Sequence, residues 1–112
     1  MAARIVYTDL DGTMVGPRGS FWHTADRELT AGPADALLRL HRSGVALVLV
    51  SGRTFEQVVE AARIFAADGA IAELGSVVSW DGGRGVHRLT GGLPDEYAGR
   101  TPMEVMADLG IV

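Results

Sequence analysis

Residues Arg4 to Thr13 constrain the fold more than any other stretch. The apolar run Ile5-Val6-Tyr7-Thr8 ends in two carboxylates, Asp9 and Asp11, one residue apart, followed by Gly12 and Thr13. This pattern predicts a buried strand over residues 4–8 whose C-terminal tip is where open α/β sheets place their ligands. Residues i and i+2 of a strand share a face, so both carboxylates emerge on the same side. Two anions held close together repel unless a cation or a proton lies between them, and the natural reading is a metal.

A second strand tip follows. Val45-Ala46-Leu47-Val48-Leu49-Val50 is an unbroken apolar run, as expected of a parallel strand covered on both faces, and it leads into Ser51-Gly52-Arg53. Thr54 and Gln57 are spaced as a capping box opening a helix. A hydroxyl, helix N-terminal N–H groups and a guanidinium thus gather at one point, an arrangement suited to an anion. Between the two strands, Pro33 fits a first helical turn. Ala34, Leu37, Leu38 and His41 fall on one face, and Gly44 is placed to end the helix. The result is a right-handed βαβ unit that sets Asp9 and Ser51 at the same sheet edge.

Asp9-Leu10-Asp11-Gly12-Thr13 resembles the first motif, D-x-D-G-T, of the haloacid dehalogenase-like (HAD) hydrolases. The resemblance implies an α/β core with a Rossmann-like, three-layer parallel sheet. Asp9 would be the nucleophile that accepts a phosphoryl group. Asp11 would be the acid that protonates the leaving oxygen and then the base that activates water. Mg2+ would be bound by the Asp9 carboxylate and the Asp11 main-chain carbonyl, so that both residues are metal ligands. A carboxylate attacks phosphorus poorly unless a cation and donors neutralise the phosphoryl oxygens. Strand-then-Ser51 resembles the second motif, whose hydroxyl holds the phosphoryl group, with Gly52 allowing close approach. The triplet Ser51-Gly52-Arg53 is common in the branch with a large type II cap, where the arginine helps bind substrate. Thr13 joins the phosphate-binding set. By the same resemblance, residues 14–30 carry a flap over the site, in which Phe21, Trp22 and His23 are candidate substrate contacts.

Beyond residue 55, Val58, Val59, Ala62, Phe65 and Ala66 form a helical stripe that Asp68-Gly69 closes. Residues 70–74 read as a third strand and 76–89 as a β-hairpin about the turn Asp81–Gly85, with Asp81 solvated. Glu73-Leu74-Gly75 is a partial match to the E-N-G that often ends the third strand of type II-capped relatives. Residues 91–100 read as loop, and Thr101-Pro102-Met103-Glu104 as a helix start. The region from about 90 to 112 is expected to lead towards a cap, within a single partial core domain spanning residues 1–112.

The family's third motif supplies a lysine and its fourth an acidic pair, yet this chain contains no lysine and no such pair. Arg84, Arg88 or Arg100 could substitute for the lysine, although nothing in the sequence places them at the site. The resemblance also implies a later strand beside the catalytic one. Strand 4–8 is therefore expected to be covered by a C-terminal segment or by a second copy of the chain. The 112 residues have room for one domain, and 47% hydrophobic content is ample for its core. A formal charge of −4 argues against a nucleic-acid partner. No apolar run spans a bilayer and no signal-peptide core is present, so the default location is the cytoplasm. Absent cysteine excludes disulfides and thiolate chemistry. The combined absence of Lys, Asn and Cys, with abundant Ala, Gly, Val and Arg, fits a GC-rich genome. The sequence thus points to the N-terminal portion of a Mg2+-dependent phosphatase acting on a small phosphorylated metabolite through an aspartyl-phosphate. The alternative is a non-catalytic phosphate-binding or assembly module that lost the lysine and the acidic pair. A dinucleotide-binding unit is disfavoured because no G-x-G-x-x-G follows the first strand.

Overall fold

The computed structural model describes residues 4–89, 100 and 102–110. Its elements run β1 (Ile5–Asp9), α1 (Gly32–Arg42), β2 (Ala46–Val50), α2 (Phe55–Phe65), β3 (Gly69–Ala72), β4 (Val77–Trp80), β5 (Gly85–Arg88) and α3 (Pro102–Asp108). The five strands form one sheet in the order β1-β2-β3-β4-β5. The first three are parallel, and β4 and β5 run antiparallel to their neighbours. Most of the expected loop over 91–100, the Thr101 cap and the chain end lie outside the described residues.

Local chemistry sets most boundaries. Pro33 occupies the first turn of α1, where its missing N–H costs nothing. At the other end Gly44 takes φ 68°, Gly44 N–H donates to the His41 carbonyl, and Val45 N–H donates to the Leu40 carbonyl. That pair of bonds is a Schellman closure, which favours glycine at this position. The α2 capping box is present, with the Thr54 hydroxyl accepting Gln57 N–H and the Gln57 side chain accepting Thr54 N–H. α2 stops at Phe65, with Ala66 left-handed at φ 53°, earlier than the sequence suggests. Asp68 is not a helix terminator: its carboxylate accepts Leu47 N–H at 2.8 Å, which ties the α2–β3 connection to β2. β3 begins at Gly69 and ends at Ala72, because residues 73–75 form a 3-10 turn.

The two crossovers step across the sheet in the same direction, so right-handed connections put α1 and α2 on one face. Their contact agrees: His41 Nε2 donates to the Phe65 carbonyl at 2.9 Å. Leu47 and Leu49 of β2, fully buried, point to this face with Leu10, Val58 and Phe65. The α1 stripe is narrower than expected, since Leu37 is buried and Leu38 is half exposed. On the opposite face Ile5, Tyr7, Val50 and Trp80 stay exposed, so the described residues supply two of the three layers. β1 lies at the edge of the sheet.

The core hinges on β2, whose Leu47 and Leu49 have no exposure. Leu49→Ala, at a position with no exposure, is expected to cost about 2–5 kcal/mol in chemical denaturation. A loss below about 1 kcal/mol would show that β2 is not the packed centre.

Candidate active site at two strand tips

Asp9 ends β1 and pairs in register with Val50, the last residue of β2. Residues 9–11 and Ser51 therefore leave the sheet side by side. Leu10 is buried while Asp9 and Asp11 are exposed, as strand alternation requires. The chain then turns tightly: the Leu10 carbonyl accepts N–H groups from Thr13, Met14 and Val15, while Gly12 N–H donates to the Val15 carbonyl. Gly12 has φ 80°, a conformation that costs a residue with a Cβ about 1–2 kcal/mol. The Asp11 carbonyl takes none of the turn's hydrogen bonds.

Asp9 Oδ1 accepts Leu10 N–H at 2.9 Å. Asp11 is held differently: Arg53 Nε donates to its Oδ2 at 2.9 Å, and Arg53 Nη2 pairs with its Oδ1. This bidentate hydrogen bond holds the Asp11 carboxyl below its ordinary value and raises the guanidinium. Arg53 also lies against the 17–21 segment, where a Cβ added to Gly19 would come 3.3 Å from Arg53 Nη2.

Ser51 is buried, its N–H donating to the Ile71 carbonyl at 2.9 Å and its Oγ accepting Arg53 N–H at 3.1 Å. The donors at the start of α2 are largely taken. Thr54 N–H and Gln57 N–H serve the capping box, and Phe55 N–H donates to Glu73 Oε2 at 3.1 Å. Three of the N–H groups expected to serve an anion, those of Thr54, Phe55 and Gln57, are therefore already engaged by side chains of the chain itself. Candidate anion contacts here include the Ser51 hydroxyl, the exposed backbone at Gly52 and the guanidinium of Arg53. Thr13 is exposed and, with Gly12, His23, Thr24 and Thr30, lines a cavity of about 250 Å3.

Among the other candidates, Phe21 packs on Phe65 with ring centroids 5.0 Å apart, which makes it part of the core. Trp22 is exposed, and His23 Nδ1 shares a 2.6 Å hydrogen bond with Ser20 Oγ. Arg88 pairs with Glu104 and lies over the Phe55 ring, and Arg100 pairs with Asp108. Both are engaged with α3 or α2 rather than with Asp9 or Asp11. No local pattern marks Arg53 and Asp11 as partners, and the partial E-N-G match at Glu73-Leu74-Gly75 carries no sign that the Glu73 carboxylate accepts Phe55 N–H.

Mg2+ binds through one or two carboxylates and keeps waters and substrate phosphate as further ligands, and the Asp9 carboxylate and the Asp11 carbonyl are the oxygens of this tip that would hold it. Among the described residues no group of three His, Cys, Asp or Glu side chains could hold a metal, so the fit extends to these two oxygens only. No helix among the described residues is long and apolar enough to cross a membrane.

No family model matches the chain. Solved structures do match it. A haloacid dehalogenase-like hydrolase from B. subtilis superposes with a TM-score of 0.60 at 19% identity, over 96% of this chain and 33% of its own. A phosphatase of the haloalkanoate (HAD) enzyme superfamily from Bacteroides thetaiotaomicron gives 0.59 at 25% identity, over 96% and 36%. A HAD subclass IIB sugar phosphatase gives 0.53 at 23%, over 75% and 30%. The chain spans about a third of the length of these proteins. Its fold is that of the N-terminal part of HAD-like hydrolases.

If Arg53 depresses Asp11, Arg53→Met should let the Asp11 carboxyl rise toward 3.8, read by 13C carboxyl titration. The sign follows from linkage. A group depressed on folding adds stability above its unfolded value, near pH 4, and that stability fades as the pH falls through the folded value. The exposed position limits the gain to about 1 kcal/mol or less. Identical Asp11 titration in both proteins would show that the pair does not persist in solution.

Proposed function

We propose that this chain is the N-terminal portion of a Mg2+-dependent phosphatase that hydrolyses a small phosphorylated metabolite, with Asp9 as nucleophile. The observation that carries the proposal is the register of β1 on β2, which sets the Asp9-x-Asp11 tip beside Ser51 within a fold shared with HAD-like hydrolases.

In this reading an Asp9 oxygen attacks phosphorus, and the bond to the leaving oxygen breaks as Asp11 donates its proton to that oxygen. Asp11, now a carboxylate, takes a proton from water. The resulting hydroxide displaces Asp9 from phosphorus and releases phosphate. Mg2+, when bound, supplies charge neutralisation at the phosphoryl oxygens. The Ser51 hydroxyl hydrogen-bonds one of those oxygens.

Arg53 has two roles to reconcile. While it grips Asp11 it keeps that carboxyl ionised, and an ionised Asp11 cannot act as an acid. A phosphoryl group offers the guanidinium a second bidentate acceptor. Moving Arg53 from Asp11 to the phosphate would release Asp11 to carry a proton as substrate arrives. A sugar phosphate is the substrate class favoured by the sugar phosphatase among the structural neighbours.

The second reading, a phosphate-binding module without turnover, draws on the same ion pair, because an Asp11 permanently held by Arg53 would leave only the clamp. Asp9→Asn separates the two. Under the phosphatase reading, Mg2+-dependent release of phosphate disappears in the variant, and Asp11→Asn slows it by about 100-fold or more. Under the module reading, wild type and Asp9→Asn bind inorganic phosphate alike and neither hydrolyses a phosphomonoester.

A further inference from the structure

Glu73 is a carboxylate with 5% of its surface exposed, and burying a charge is unfavourable unless strong hydrogen bonds hold it. It also has a left-handed backbone, φ 50°, as does Leu74 at φ 59°, a region that residues with a Cβ seldom occupy. The turn is pinned in that shape. Ser76 donates both its N–H, at 3.2 Å, and its hydroxyl, at 2.7 Å, to the Glu73 carbonyl.

From this turn, three contacts reach the loop that carries Ser51 and Arg53. Glu73 N–H donates to the Arg53 carbonyl at 2.9 Å. Glu73 Oε2 accepts Phe55 N–H at 3.1 Å. The Leu74 side chain lies over Gly52, where an added Cβ would come within 3.0 Å of Leu74 Cδ2. Residues 52, 53 and 55 are thus each held from one turn, and between them the Arg53 guanidinium extends to Asp11. The Glu73 side chain acts through Phe55 N–H, two residues past Arg53, and adds to the backbone bonds that the Arg53 carbonyl accepts from Glu73 N–H and that Arg53 N–H donates to Ser51 Oγ.

We propose that Glu73 is a positioning residue that holds the Ser51–Thr54 loop in the geometry from which Arg53 reaches Asp11. It touches neither substrate nor the reacting atoms. The inference rests on the phosphatase reading only for its catalytic consequence. Its structural content, the placement of Arg53, stands separately.

The test follows the Arg53 Nε–H resonance by 15N NMR in wild type, Glu73→Ala, Glu73→Gln and Glu73→Asp, with inorganic phosphate titrated into each. Gln keeps an acceptor at the same reach, whereas Asp keeps the charge but falls one methylene short. The expected result is that Ala and Asp lose the ion-paired Arg53 signal while Gln retains it. Misplacement of this kind should weaken phosphate binding by about tenfold to a hundredfold. An ion-paired Arg53 signal that survives in Glu73→Ala overturns the inference. If the Ala chain does not fold, survival of the signal in Glu73→Asp does the same. A wild type that shows the Arg53 signal but binds no phosphate removes the phosphatase reading and leaves the positioning role to be decided by the signal alone.

Discussion

Everything at the site depends on the parallel pairing of β1 with β2, Ile5 on Ala46 through Asp9 on Val50. Side chains alternate along a strand, so a slip of one residue would send Asp9 and Asp11 into the core and bring Leu10 out. The register is fixed by burial: Leu10, Leu47 and Leu49 all require the helix-covered face. The apolar core therefore presents two carboxylates at one strand tip and a serine at the next, with no interaction between these groups needed to bring them there.

Once the tips are set, electrostatics at the site becomes a competition for donors. The start of α2 would be an anion-binding end on its own, but the side chains of Gln57, Glu73 and Thr54 take the N–H groups of Thr54, Phe55 and Gln57. Arg53, beside this helix start, is paired with Asp11. That pair is partly solvated and therefore weak.

Legibility in the sequence followed the range of the interaction. The strands, the Pro33 start and Gly44 end of α1, the Thr54–Gln57 box and the 76–89 hairpin all rest on chemistry within a few residues, and the structure has each of them. The end of α2 was misread because Asp68 is spoken for by Leu47, twenty-one residues away in the chain. The ion pair of Arg53 with Asp11 spans forty-two residues, and its two members were recognised separately without any local sign that they meet. Glu73 stood out only as part of a partial E-N-G match, and its burial and its bond to Phe55 N–H emerge only when the fold encloses it. No layer covers Ile5 and Tyr7 among the described residues, for α1 and α2 both pack on the other face.

The central claim is that the β1 tip is built to carry a phosphoryl group on Asp9. Beryllium fluoride, which adds to a nucleophilic carboxylate as a mimic of its phosphorylated form, tests this directly when 19F NMR is recorded with Mg2+ present. A bound-fluoride signal in the wild type that is absent from Asp9→Asn is the expected result. No bound signal in the wild type, or an equal signal in Asp9→Asn, would contradict it.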